Sequence, residues 1–170
     1  LLFAQIVAEA GLPPGVINIV TGGDSAGAAL VEHPGFDKVA FTGSTNVGRI
    51  LRRATAGTGK RLSLELGGKS PVIIDQDFSP ARAAKSIAFG KLSNAGQTCI
   101  APDYALIHEN NVDDFVAAFD AASHIAYPTG TEDEAYSAII SQQHYDRLIA
   151  LIEDARHKGA KIVEIRAAAT

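Results

Sequence analysis

The sequence runs to 170 residues, 46% of them hydrophobic and 20% charged, with a net charge of −4. That balance fits one globular domain of roughly 150 residues and excludes disordered and fibrous chains, and no apolar run approaches the ~20 residues that cross a bilayer. Fifteen Lys and Arg against nineteen Asp and Glu leave no basic surplus for a phosphate backbone, so no nucleic-acid partner is expected.

Leu1 to Ala10 carries apolar residues at a helical period, with Gly11 beyond as a cap before the Pro13-Pro14 turn. Val16 to Val20 is short and mostly β-branched and reads as a buried strand closed by Thr21-Gly22-Gly23. Ser25 to Glu32 resumes helical composition, and His33-Pro34-Gly35 ends it. Lys38 to Phe41 reads as a second strand. Gly43 then opens a stretch whose Val47, Ile50, Leu51 and Ala54 are spaced for one helix face. This alternation predicts an α/β fold, a parallel sheet with crossover helices and with ligands gathered at the carboxyl ends of its strands.

Gly57-Thr58-Gly59 breaks the helix, Arg61 to Leu66 alternates polar and apolar as a strand does, and Gly67-Gly68 turns the chain before a short strand at Val72 to Ile74. Ser79 as N-cap and Pro80 at the first helical position start a helix expected to reach about Asn94. A strand at Tyr104 to His108, a helix at Val112 to Ser123, a loop at Tyr127 to Glu134, a helix at Gln142 to Lys158 and a last strand at Lys161 to Ile165 complete the reading.

Three places hold residues suited to chemistry. Phe41-Thr42-Gly43-Ser44-Thr45-Asn46-Val47-Gly48 puts glycines and hydroxyls where a strand meets a helix, so free backbone N–H groups converge with the helix dipole on an anion site. Gly43 would let a phosphate approach the backbone, and Gly48 would let the helix pack closely on the sheet or on a ligand. A plain tight turn explains the same residues, because their spacing is not that of the G-x-G-x-x-G fingerprint.

Cys99 is the only thiol and follows Gly96-Gln97-Thr98. Polar neighbours and backbone amides there favour thiolate, the reactive form, although a lone cysteine also serves as an inert core residue. Glu65 stands near a strand end before Leu66-Gly67-Gly68. Burial there would raise its pKa toward that of a general base, and a surface glutamate is the alternative. The five histidines form no ligand cluster, so no metal is expected. A single cysteine forms no disulfide within the chain, which fits a reducing, cytoplasmic setting. Asp75 and Asp77 read as loop and helix-entry residues, and Arg52-Arg53 as a solvated helix face.

Taken together, Phe41-Thr42-Gly43-Ser44, Leu64-Glu65-Leu66-Gly67-Gly68-Lys69-Ser70-Pro71 and Asn94-Ala95-Gly96-Gln97-Thr98-Cys99 resemble the NAD(P)-dependent aldehyde dehydrogenase superfamily. Order and spacing, 34 residues from Glu65 to Cys99, follow that family's pattern. The run Gln97 to Tyr104 is similar to the branch acting on aromatic and long-chain aldehydes, coniferyl aldehyde among them.

The resemblance implies that Cys99 attacks an aldehyde to give a thiohemiacetal and then a thioester, and that Glu65 activates the water releasing the carboxylic acid. It implies NAD or NADP as cofactor, with Gly43 and Ser44 at the pyrophosphate, Val47 and Gly48 along the adenosine half, Leu66 beside the nicotinamide and Gly22 as a further contact. Residues 1–66 would be part of the NAD(P)-binding domain and 67–170 part of the catalytic domain. A homo-oligomeric parent is implied as well.

The family's pattern also includes an upstream asparagine of the oxyanion hole and ribose-binding segments on either side, none of them in this sequence. With no methionine and a leucine at residue 1, the chain reads as processed or partial. It is expected to expose apolar surface and to be inactive alone. A coenzyme A-acylating dehydrogenase is the near alternative, which Glu65 argues against, and a non-catalytic module is the distant one.

Overall fold

The computed structural model describes residues 1–165. The chain divides at the Leu66–Gly67 bond into two compact units, each with its own parallel strand pair.

In the first unit, helices α1 (Leu2–Glu9) and α2 (Asp24–Glu32) precede strand β1 (Lys38–Gly43), helix α3 (Thr45–Thr55) and strand β2 (Arg61–Leu66). Gly11, at φ +67°, turns the chain away from α1. Strands β1 and β2 run parallel, with Phe41 opposite Leu64, Thr42 opposite Glu65 and Gly43 opposite Leu66. Helix α3 is the crossover that a parallel pair requires. Gly57 and Gly59, at φ +74° and +77°, carry the tight return from α3 to β2 at a conformation that residues with a Cβ rarely adopt. The Lys60 ammonium bonds the carbonyls of Val31 and His33, so it neutralises the carbonyl end of α2.

The buried stripe of α3 is Gly48, Leu51 and Thr55, not the expected Val47, Ile50, Leu51 and Ala54. Of those four only Leu51 is buried, while Val47, Ile50 and Ala54 are exposed. The stripe turns because Gly48 lets the helix approach Leu66 of β2, and because Thr55 can be buried by donating its hydroxyl to the Leu51 carbonyl at 2.9 Å. Arg52 and Arg53 are exposed in the last turn, where cations complement the helix dipole.

The second unit holds β3 (Ser70–Ile73), α4 (Pro80–Leu92), β4 (Pro102–Leu106), α5 (Val112–Ala126) and α6 (Gln142–His157). Strands β3 and β4 are parallel, with an irregularity between Ser70 and Pro71. Ser79 caps α4, its hydroxyl accepting from the Arg82 amide at 3.4 Å, and Pro80 occupies the first turn. Ala83, Ala84 and Ala88 form the buried face of α4, and small side chains there allow α4 to pack on both α5 and β4. A Cβ on Gly90 would stand 3.3 Å from Pro102 at the start of β4. Asp75 accepts from the Asp77 amide at 3.0 Å in the loop before α4.

The α/β class and parallel pairing agree with expectation, but the single sheet resolves into two separate strand pairs. Val16 to Val20 and Lys161 to Ile165, both expected as strands, pair with no strand among the described residues. Their β-branched residues suit a sheet, yet a strand exists only where a neighbour accepts its backbone hydrogen bonds. Helix α4 stops at Leu92 rather than near Asn94, because the chain there passes into a left-handed turn. Apolar side chains are indeed exposed in both units, Phe3 and Ile6 on α1 and Phe89 and Ile125 on α4 and α5 among them.

Candidate active site

In the first unit β1 ends at the turn that the sequence marks as a candidate anion site. Ser44 is the N-cap of α3, with extended backbone, and its hydroxyl accepts from the Val47 amide at 3.3 Å. The amides of Thr45 and Asn46 in the same first turn have no acceptor within the helix, and both residues are exposed. The Ser44 hydroxyl still has its own proton to donate. Two free amides, one O–H and the positive end of an eleven-residue helix form a donor set suited to a pyrophosphate. Ser44→Ala should remove the cap and lower stability by about 1 kcal/mol, read as an earlier thermal unfolding midpoint.

Side chains of the protein itself crowd three of the expected cofactor-contact glycines. A Cβ on Gly43 would stand 2.5 Å from the Phe41 ring, one on Gly48 2.7 Å from a Leu66 methyl, and one on Gly22 2.5 Å from the Ala26 side chain. The alternative left open for Gly48 resolves toward helix–sheet packing. Leu66, half-buried, directs its side chain at that glycine. Glu65 lies on the outward face of β2, beside Thr42 of β1, and is exposed rather than buried. Alternation explains this, since Leu64 and Leu66 occupy the inward positions of the strand.

In the second unit Cys99 is exposed. It sits in a turn closed by the Ala101 amide donating to the Thr98 carbonyl at 3.2 Å. Immediately upstream, Asn94, Ala95 and Gly96 all take left-handed backbone, with φ of 51°, 53° and 72°. Such a run is unfavourable for residues carrying a Cβ, and strain of this kind collects at functional sites. A Cβ on Gly96 would also meet the Lys91 carbonyl at 2.9 Å. Gly96→Ala should therefore cost about 2 kcal/mol, roughly 4–8 °C in unfolding temperature for a chain of this size.

Gln97 holds this turn, and its local sequence gives no sign of it. Its side-chain amide donates to the carbonyls of Asn94 at 3.1 Å and Ala138 at 3.0 Å, and its side-chain oxygen accepts from the Ile140 amide at 2.9 Å. On the other side of Cys99, Gly68 brings its backbone close to the Cys99 carbonyl, 3.5 Å from where a Cβ would stand. Lys69 then pairs with Asp103 at 2.5 Å. An apolar groove on α4 and α5, lined by Ala88, Phe89, Ala121 and Ile125, does not include Cys99. Among the described residues no group of three or more His, Cys, Asp or Glu side chains is arranged to hold a metal, and no helix is long and apolar enough to cross a membrane.

Known proteins resemble this chain in sequence and fold. The chain is 41% identical over 152 residues to a probable coniferyl aldehyde dehydrogenase of Caulobacter vibrioides, a match covering 89% of this chain and 31% of that protein. Among solved structures, a cysteine-to-alanine mutant of aldehyde dehydrogenase C from Pseudomonas syringae, complexed with NAD+ and octanal, is 32% identical with a TM-score of 0.86. That match covers 99% of this chain and 36% of the other. The NADP-dependent glyceraldehyde-3-phosphate dehydrogenase of Bacillus halodurans, complexed with NADP, is 31% identical with a TM-score of 0.85, over 96% of this chain and 34% of the other. The chain thus spans about a third of the length of the relatives it matches. Its residues 1–166 match the aldehyde dehydrogenase family, and over that extent the chain belongs to it.

Proposed function

We propose that the protein containing this chain oxidises an aldehyde to a carboxylic acid with NAD+ or NADP+, using Cys99 as nucleophile and Glu65 as general base. The observation that carries this reading is the exposed Cys99 thiol, the one cysteine of the sequence, on a turn fixed by left-handed backbone and by Gln97. Relatives solved with NAD+ and with NADP support the cofactor class, and the free donors at Thr45, Asn46 and Ser44 suit its pyrophosphate. Gly22, Gly43, Val47, Gly48 and Leu66 belong to the same proposed cradle, with residues 1–66 as part of the cofactor domain and 67–170 as part of the catalytic domain. The coniferyl aldehyde dehydrogenase relative and the structure solved with octanal favour an aromatic or long-chain aldehyde.

In this reading the Cys99 thiolate adds to the aldehyde carbon, forming a C–S bond as the carbonyl electron pair moves to oxygen. The cofactor supplies the hydride acceptor that turns this adduct into a thioester. Glu65 takes a proton from water, the water oxygen attacks the thioester carbon, and the C–S bond breaks to return the thiolate and release the acid. Glu65 is open to solvent on β2 and so can reach water, without the burial that the sequence led us to expect for this role. Since the chain covers about a third of its relatives, we expect the 170-residue stretch to produce no steady NAD(P)H alone. A homo-oligomeric, cytoplasmic enzyme is part of the same proposal.

The direct test is alkylation of the whole protein with iodoacetamide, with modification at Cys99 followed by mass spectrometry. Aldehyde-dependent NAD(P)H formation should fall in proportion to Cys99 modified. Full turnover with Cys99 completely alkylated would overturn the reading. Substituting coenzyme A for water as acyl acceptor distinguishes the acylating alternative, which predicts an acyl thioester in solution instead of free acid.

A further inference from the structure

We infer that Gln97 is a positioning residue for the Cys99 nucleophile, acting through the segment at Ala138 to Ile140; this rests on the proposed role of Cys99. The bonding pattern is that of a neighbouring strand. Ala138 and Ile140 flank Ile139, and one side chain reaches both the carbonyl of the first and the amide of the second, so the two groups face the same side of the segment. In a parallel ladder that carbonyl and amide are satisfied by one residue of the neighbouring strand. Here the Gln97 carboxamide does it instead, donating to the Ala138 carbonyl at 3.0 Å and accepting from the Ile140 amide at 2.9 Å.

The same side-chain nitrogen also donates to the Asn94 carbonyl at 3.1 Å, and the Gln97 backbone amide donates to that carbonyl at 3.0 Å. The Asn94 side chain in turn donates to the Gln97 carbonyl at 3.2 Å. The left-handed turn, Gln97 and a segment 41 to 43 residues downstream are thereby one hydrogen-bonded assembly. Cys99 is two residues from its centre. A turn of three left-handed residues does not persist on local preference, and these bonds supply what holds it. The downstream segment is braced in its approach, since Asp133 accepts from the Thr129 hydroxyl at 3.2 Å and from the Ala135 amide at 3.1 Å.

Both Gln97 side-chain atoms are matched to backbone groups, one donor and one acceptor, so no other side chain of similar length reproduces the set. Glutamate keeps the acceptor for Ile140 and loses both donations. Alanine loses all three bonds and frees the turn.

The test has two arms on the whole protein. Displacement of a reacting atom by about 1 Å costs on the order of 10²-fold in rate, so Gln97→Ala should lower kcat by about that factor with KM changed much less. Gln97→Glu should fall between the two. The second arm needs neither aldehyde nor cofactor: the rate of Cys99 alkylation by iodoacetamide across pH 6 to 10 should change its midpoint or its plateau in Gln97→Ala. A purely structural role moves neither, and predicts only a lower unfolding temperature. Unchanged kcat and an unchanged alkylation profile in either folded variant would overturn the inference. If the alanine variant does not fold, the isosteric glutamate variant decides alone. An altered alkylation profile in a protein that oxidises no aldehyde would keep the positioning role and reject the proposed reaction.

Discussion

Cys99→Ala should abolish aldehyde oxidation while leaving the protein folded and able to bind its cofactor. Removal of a catalytic nucleophile costs up to ~10⁶ in kcat where it has been measured, so a loss of at least ~10³-fold is expected here. The comparison is clean because Cys99 is exposed. Trimming a sulfur from an exposed position opens no cavity, and surface substitutions outside special backbone change stability by only about 0.5 kcal/mol. Cys99 also lies outside the left-handed run, which ends at Gly96, so alanine meets no conformational penalty. Thermal unfolding and cofactor binding, followed by quenching or enhancement of NADH fluorescence, should match the parent. Steady NAD(P)H production with octanal or coniferyl aldehyde should not. Retention of more than a few per cent of the parent rate would remove the thiol from the mechanism.

The separation between what sequence reading finds and what it misses at this site follows from range. Ser79 and the Gly57–Gly59 return are found because caps and left-handed glycines act on neighbours within four residues. The parallel class of β1 and β2 follows from the crossover helix between them. Val16 to Val20 is misread because side-chain preference describes the surface a strand offers and says nothing of a partner. The face of α3 is misread because Gly48 and Thr55 carry no apolar signal, although one permits close approach and the other satisfies its hydroxyl internally. Helix α4 is expected to about Asn94, two residues beyond Leu92, because the left-handed turn that stops it is held by Gln97 and by residues 138–140. Cys99 and Glu65 themselves stand out as motifs. The support beneath Cys99 does not, since two of the three backbone partners of the Gln97 side chain lie more than forty residues from it.

Glu65→Gln separates the two halves of the proposed reaction. The substitution is isosteric at an exposed position of β2, so folding and thiol addition should be preserved while water loses its base. Loss of a general base costs typically 10²–10⁴-fold, and that loss should fall on acid release alone. Rapid mixing of the variant with aldehyde and NAD(P)+ should then give a burst of about one NAD(P)H per Cys99, followed by a steady rate lower by that factor. Mass spectrometry of the quenched enzyme should find the acyl group on Cys99. Hydroxylamine, which attacks thioesters without help from a base, should restore turnover and yield the hydroxamate. A burst of the parent's size followed by the parent's steady rate would remove Glu65 from the hydrolytic step. A variant that lacks the burst and binds cofactor weakly would place Glu65 in the cofactor cradle with Ser44, because addition and hydride transfer would then be what the carboxylate serves.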